Sequence, residues 1–578
     1  MLKQFVAAAL AAALVTFVPV SSPAATSAPG TLIQQAGNEA IQSFRKASPE
    51  FDTFLGDYSH DGDFSDPTPA GLRQVGAIMT RLAARLDAID MTHATLHDRN
   101  DMKLMRALII GQRRGFAEVR EGKNPAGPPM AVLGLVFTMI LHKDEQEQSV
   151  WWDHMISRLE KAPAWMAVQK AMITHPGRLQ AQIANQQLSM APMLFSYILT
   201  PMASGLPPEK KARFDKASAA TVAAFVAWTK WMSDNSATWP LNYAMGARAY
   251  NGMLKNEFLL PYNSDQIAAI GQKTLDDAVA QENAIQAEAK AKGVSLSDAV
   301  QAAANGGGMT PNTTKEAAFA FFQTQLDTLN NFVNEKQIVT IPPYMGKMVI
   351  RETPAFLLPI QPGAAMSAPP LLSKQKDGIY FVPPPKPDMA AKATAGAIFE
   401  DFDRDRVLMT SGHEGLPGHF LQLSIAKHNP DPIRRFSFDG VMAEGWAFYE
   451  EDLLMRMGLY GNDLDGRYAI AQFERLRGAR AIVDTKLATG QWDFEKAVAW
   501  FQQNAGVDAV TARGEVSRHA LGPGQAFDYA VGKVQIEDLL AKYKAKKGAG
   551  FNLKAFHDDL LSHGTVPYSI IASEMLAK

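Results

Sequence analysis

The sequence predicts a mostly α-helical protein of two lobes, with a small β-sheet just ahead of a metal-binding motif. Three observations carry that expectation. Long stretches repeat apolar residues at intervals of three and four. One region, 338–387, switches to β-branched and aromatic residues bounded by Pro and Gly. The run His413-Glu414-Gly415-Leu416-Pro417-Gly418-His419 is followed at Glu444 by Glu-Gly-Trp-Ala. A chain of 578 residues can bury a large core, and a compact enzyme of two lobes or several subdomains is the natural expectation.

The first element is not part of the fold. Lys3 gives a short positive region, Phe5 to Val20 an apolar stretch, and Ser21 to Ala25 a small-residue zone suited to cleavage. This reads as a signal peptide over residues 1–25, and the mature protein is expected to be periplasmic or secreted. The alternative is an uncleaved membrane anchor, which the small-residue end disfavours. No later apolar run is long enough to span a membrane, so no membrane association is expected after cleavage.

An N-terminal region is expected over 26–335, and from about residue 32 its periodicity is helical. Leu72 to Ile89, Val150 to Ile173, Lys210 to Met232 and Ser264 to Lys292 repeat apolar residues at three and four, with Pro or Gly at their junctions. These form an N-terminal helical region. Asn305 to Asn312 (NGGGMTPN) interrupts the series and reads as a surface loop. The catalytic region is expected over 336–578, the two being intertwined in one unit. In it, Ile338 to Ile341, Met348 to Glu352 and Gly378 to Val382 read as short strands, and helical periodicity resumes at Ala390.

Composition narrows the chemistry. With 47% hydrophobic and 20% charged residues and a net charge of -2, neither nucleic acid nor an anionic membrane is an expected partner. There is no cysteine, which excludes disulfides, thiolate catalysis and a lipidated cysteine after the signal. Any metal must be held by His, Asp or Glu.

In an ordinary zinc-binding HExxH helix the two imidazoles are four residues apart and share a face. Here they are six apart, which on a regular helix separates them by roughly 240° and about 9 Å along the axis. Pro417 breaks that regularity at a definite place, because its ring collides with the carbonyl of His413 and offers it no N–H. Gly418 then permits backbone geometry other residues resist. A bulge at Leu416 to Gly418 that loops out two residues would restore the facing of the two rings. The alternative is a plain turn between two helices, with His419 on the surface. Glu444 favours the bulge: it follows the turn at Asn429 to Pro432, so a returning helix could bring its carboxylate beside both imidazoles. That completes a His2Glu set with an open position, the donor set of catalytic zinc, and leaves Glu414 as the general base.

The segments His413 to Gln422 and Glu444 to Glu451 resemble the DUF885 family of predicted metallopeptidases. So do Arg475 to Phe501, Pro523 to Gly532 and Phe556 to Pro567, while Gly177-Arg178 and Tyr250-Asn251 resemble it more loosely. The resemblance implies a zincin-like fold of the gluzincin type, similar to the helical peptidases of the angiotensin-converting-enzyme and thimet-oligopeptidase kind, with the sheet near an active-site cleft between two lobes. It implies Zn²⁺ on His413, His419 and Glu444, Glu414 as general base, and Tyr529 with His519 as oxyanion donors, since those relatives use a His and a Tyr at similar spacing. The alternative for Tyr529 is a core aromatic of an amphipathic helix. Two positions depart from the family pattern, which has an aromatic at His519 and commonly a His at Ala488.

The function expected is that of an exported zinc metallopeptidase cleaving short peptides, as an oligopeptidase or carboxypeptidase. The alternatives are a zinc hydrolase of a non-peptide amide or ester, and a catalytically silent exported binding protein. The strand around Tyr380 to Val382 is expected to pair with an extended substrate. Arg477 and Arg480 suit a substrate carboxylate; the blander expectation pairs them with Asp484 or Glu474. Asp484 and Glu451 are candidates to support a ligand from behind. His428, His557 and His563 read as surface or capping residues.

Overall fold

The computed structural model describes residues 28–189, 191–241, 243–296, 314–354, 363–383 and 404–577. The signal-peptide segment, the Asn305–Asn312 loop and the expected helix start at Ala390 lie outside the described residues. Contacts divide the chain into two compact units. One comprises Met1–Asn242, Pro370–Gln375 and Asp431–Phe436; the other comprises Tyr243–Pro369, Lys376–Pro430 and Ser437–Lys578. No described helix is long and apolar enough to cross a membrane.

Among its described residues the first unit is helical, without strands. Helix α1 (Pro29–Ala47) starts at a proline, whose missing N–H is an orphan there in any case. It buries Ile33, Ala36, Ala40 and Ile41 at helical spacing. Helix α2 (Pro69–Asp87) is capped by Thr68. Helix α3 (Leu96–Arg120) begins with a capping box in which Thr95 and Asp98 satisfy each other's backbone N–H groups. Helices α4 (Gln148–Ala171) and α5 (Pro208–Asn235) match the expected periodic stretches within a few residues. The short helix Pro432–Phe436 joins this unit through Asp431, which accepts Gln34 Nε2 at 2.9 Å, and Arg434, whose Nε donates to Asp101 at 3.0 Å.

In the second unit, helix α6 (Ser264–Lys292) has the expected bounds, an Asn263/Gln266 capping box and a left-handed Gly293 at its end. Helix α7 (Lys315–Glu335) leads to strands β1 (Met348–Glu352), β2 (Ala365–Ser367) and β3 (Gly378–Val382). There follow α8 (Arg404–Glu414), α9 (His419–Lys427), α10 (Gly440–Arg456), α11 (Leu464–Ala488), α12 (Ala509–Leu521), α13 (Asp528–Lys547) and α14 (Leu553–Ser562).

The contact boundary falls at 242/243, well before the change of texture at 336. The cause is the packing of α6 along α11. A Cβ on Gly478 would meet Leu275 N at 2.6 Å, and one on Gly271 would meet Gly478 O at 2.8 Å, so two glycines let the backbones nearly touch. The helix is therefore committed to the C-terminal unit.

Two strand expectations hold and two others change. Ile338 to Ile341 is not a strand: Ile338 and Val339 are buried, but Thr340 N–H is taken by the Asp558 carboxylate at 2.7 Å instead of a neighbouring strand. The strand over Tyr380 to Val382 offers no free edge to a substrate. The order is β1-β3-β2, so β3 is central, parallel to β1 and antiparallel to β2, with all five residues buried. The edge beside it is β2. Its three residues, Ala-Met-Ser, carry no β-branched signal that sequence could register.

The sheet serves as a platform for the metal motif. Phe322 and Leu326 of α7, Met348, Met366, Tyr380 and Val382 of the sheet, Val407 of α8 and Phe420 of α9 form one apolar cluster. Tyr380 and Ser411 hydroxyls lie 3.0 Å apart, fixing the last turn of α8 two residues before His413. A side chain at Gly378 would collide with the Phe420 ring at 2.8 Å, so α9 rests on the sheet without an intervening layer.

Candidate metal centre

The chain leaves α8 at Glu414 and re-enters helix at His419. The backbone between shows what the intervening residues do. Gly418 N–H bonds Gly412 O at 3.0 Å and Leu421 N–H bonds Gly415 O at 3.4 Å, both reaching back six residues where a regular helix reaches four. Two residues are looped out, as Pro417 predicts. The element is interrupted, not bulged within one continuous helix, and the Leu416–Pro417 peptide is cis.

Gly418 is required by proximity. A Cβ there would lie 2.0 Å from His413 O and 2.5 Å from Gly412 O. The loop is also clamped from outside, because Trp446 Nε1 donates to Pro417 O at 2.8 Å. Trp446 is fully buried on α10, two residues after Glu444, so one motif holds the other.

His413, His419 and Glu444 are brought together and all are buried. The rings of His413 and His419 are 4.7 Å apart and nearly perpendicular at 88°. Glu444 Oε2 lies 3.2 Å from His419 Nε2 and 3.5 Å from His413 Nε2. Donor atoms about 2.0–2.2 Å from one tetrahedral zinc ion stand about 3.3 Å apart. The set fits.

Position on the helix explains Glu444. Asp439 caps α10 through Met442 N–H at 2.7 Å, and the next turn aims Glu444 at the imidazoles. Gly445 lets α13 cross directly above it, since a Cβ would meet Gly532 Cα at 2.4 Å. That crossing brings in Tyr529, whose ring stacks on His413 at 6.2 Å with 22° between planes.

The surroundings are negative. Glu451 Oε1 lies 2.7 Å from His413 Nδ1 and accepts Arg477 Nη2 at 3.0 Å. Burial opposes charge on His413, but hydrogen bonds to Glu444 and Glu451 outweigh it and hold its pKa above the ordinary value. Two imidazoles so surrounded by carboxylates suit a dication.

Glu414 lies outside the set of three candidate ligands. It is partly exposed, and its Oε2 accepts Met366 N–H at 3.2 Å from the edge strand β2.

His519 takes a different place. It is buried beside Glu515 of its own helix, at 3.3 Å, and near Phe501, with ring centroids 6.3 Å apart. Among the described residues no hydrogen bond, ion pair or ring contact joins it to His413, His419 or Glu444. Burial pushes its pKa down to about 4, leaving a neutral ring.

The arginines also differ from expectation. Arg477 pairs with Glu451 and packs over Phe473, while Arg480 grips Glu515 with two bonds of 2.6 and 3.0 Å. Neither meets Asp484 or Glu474 in these pairings. Asp484 accepts the N–H groups of Gly524 and Ala526, shaping the turn before α13, and touches no ligand. His557, expected at the surface or at a cap, is fully buried between Tyr449 Oη at 3.1 Å and Ile338 O at 2.8 Å. His563 and His428 occupy the C-cap positions of α14 and α9, as capping residues; His563 is buried, at 3.0 Å from Glu574, and His428 stacks on Tyr344 with centroids 4.0 Å apart.

A second set with metal-binding side chains, His97, Asp101 and Asp431, lies in the first unit. There the carboxylates are already engaged by Arg434 and Gln34.

The sequence profile of DUF885, described as a bacterial protein of unknown function, matches residues 49–575. Among solved structures, a candidate lipoprotein of unknown function from Shewanella oneidensis aligns with a TM-score of 0.72 and 22% identity, over 94% of this chain and 99% of that one. A candidate lipoprotein from Colwellia psychrerythraea aligns with 0.72 and 21%, over 95% and 98%. At these identities the likeness is one of fold. No curated protein matches the sequence.

Proposed function

The chain belongs to the DUF885 family, and from that premise we propose that it is an exported zinc-dependent peptidase acting on short peptides. The observation that carries the proposal is the convergence of His413, His419 and Glu444 on one point, with a further carboxylate, Glu414, next in sequence to His413. When bound there, zinc supplies a Lewis acid for a peptide carbonyl and acidifies a water.

The protein's own residues do the rest. His413 and His419 hold the ion through Nε2 and Glu444 through a carboxylate oxygen. Glu451 orients His413 by accepting from Nδ1, fixing which nitrogen faces the ion. Glu414 takes the proton of the attacking water as the C–O bond forms, and returns it to the amine nitrogen as the C–N bond breaks. Tyr529, stacked on His413, donates to the oxyanion.

The outer edge of β2 replaces β3 as the place for an extended substrate. Met366 N–H points from that edge to Glu414, so a strand added alongside would bring its peptide bond to the base. Export rests on the N-terminal segment Lys3 to Ala25.

The test is hydrolysis of a short-peptide panel by the zinc-loaded protein and by Glu414→Gln. Cleavage that falls at least about 100-fold in the variant at equal zinc content supports the reading. Equal cleavage by both, or cleavage of esters and non-peptide amides alone, sinks it.

A further inference from the structure

Arg480 uses both oxygens of Glu515, at 2.6 and 3.0 Å. Arg518 shares the same carboxylate through one bond, Nη2 to Oε2 at 3.0 Å. Two guanidinium groups thus meet one carboxylate, and a positive charge is left over. It resides on Arg518, because Arg480 is spent on the bidentate pair and its side chain is 7% exposed against 38% for Arg518. The Arg518 Nε is buried with no hydrogen-bond partner among the described residues.

The next residue carries the same sign of incompleteness. His519 is 2% exposed, and neither ring nitrogen has a hydrogen-bond partner among the described residues. Its Nε2 stands 3.3 Å from Glu515 Oε2, an oxygen already shared by Arg480 and Arg518. Buried polar groups are ordinarily satisfied, and the exceptions call for an explanation.

These groups stand near the metal centre through a short series of contacts. Tyr529 stacks on His413, the Arg480 guanidinium lies 5.5 Å from the Tyr529 ring, and Glu515 joins Arg480 to Arg518. Glu444 and Tyr529 both act electrostatically on Arg518. A surplus cation with an unused N–H, beside a neutral buried imidazole, is a receptor for one small anion.

We propose that Arg518, with His519 as second donor, receives the free C-terminal carboxylate of the peptide, so that this enzyme cleaves from the carboxyl end. The inference rests on the peptidase reading above and names its substrate class. It also moves the carboxylate anchor away from Arg480, which is held by both oxygens of Glu515, and from Arg477, which is buried against Glu451 and Phe473.

The experiment compares benzoyl-Gly-Xaa dipeptides (Xaa Phe, Leu or Lys) as free acids and as C-terminal amides, for the native protein, Arg518→Gln and Arg518→Lys, each checked for equal zinc content. Two readouts are taken: kcat/KM, and binding of the same compounds to the zinc-free protein by calorimetry. The native protein is expected to prefer the acid by about 10- to 100-fold in either readout, the range for hydrogen bonds to a charged group. Arg518→Gln is expected to abolish the preference and Arg518→Lys to retain part of it. An acid preference that survives in Arg518→Gln, or a native protein that prefers neither form in binding, overturns the proposal. Acid-selective binding that Arg518→Gln removes, with no cleavage by the native protein, keeps the anchor and overturns the peptidase reading.

Discussion

Nδ1 of His413 lies 2.7 Å from Oε1 of Glu451, seven residues beyond Glu444 on the same helix. Positions seven apart share a helical face, so α10 presents to one imidazole both a proposed fellow ligand and the carboxylate that orients it. Arg477 in turn holds that carboxylate at 3.0 Å. Burial works against charge on Glu451, yet Arg477 and His413 keep its pKa below the usual range, so it is an ionised acceptor.

Replacing Glu451 with Gln is therefore expected to weaken zinc binding by about 10- to 100-fold without removing it. Competition against a chelator of known affinity measures this. Unchanged affinity would assign the contact to packing alone.

Gly418→Ala is expected to lose stoichiometric zinc and to lower the melting temperature by several degrees, because the new Cβ falls 2.0 Å from His413 O. Gly76→Ala, on α2 with nothing within 4 Å of its Cβ, is the control. It should be neutral or stabilising by about 0.5–1 kcal/mol. A native melting curve and full zinc content for Gly418→Ala would remove the proposed reason for that glycine.

Tyr529→Phe is expected to lower kcat by roughly 100- to 1,000-fold, the range for losing one oxyanion donor, with zinc content unchanged. Steady-state kinetics on the best peptide decides. An unchanged kcat would leave Tyr529 only its stacking on His413.

His557 predicts a pH dependence of stability away from the metal. Burial pushes its pKa down to about 4 from 6.5, with Ile338 O and the nearby Asp558 opposing the shift. Tyr449 Oη faces its other ring nitrogen. The unfolded chain binds the proton first, so stability is complete above about pH 6.5, falls as the pH is lowered toward 4, and levels off below. The span is about 3 kcal/mol. Denaturant titrations across pH 4–7 should show a shallower slope for His557→Asn than for the native zinc-free protein. Identical slopes would show that other groups carry the effect.

The parts of this protein that sequence revealed are those written locally. Pro417 and Gly418 announce a break of two residues because their chemistry acts on the backbone within one turn. Ser264 to Lys292 announces its own ends through a capping box and a glycine. The candidate metal ligands are visible because two histidines and a carboxylate fall in seven residues. Identifying Glu444 needed only a returning helix.

What stayed hidden depends on residues distant in sequence. No local pattern says that Trp446 clamps the Pro417 carbonyl, that Gly445 faces Gly532, or that Arg480 prefers Glu515 to Asp484. The same holds for β2, whose edge position is set by pairing with β3. The burial of His557 is hidden too, because a lone histidine on an amphipathic helix carries no mark of burial; its partners come from α10 and from Ile338, over 200 residues earlier.

The central claim is that His413, His419 and Glu444 hold one ion. Zinc-edge X-ray absorption on the purified full chain, with zinc stoichiometry measured on the same sample, tests it most directly. The account predicts one zinc per chain with two imidazole ligands and oxygen in the remaining positions, lost together in His413→Ala and His419→Ala. A native protein that binds no stoichiometric zinc, or one whose zinc and imidazole signal survive both substitutions, would contradict it.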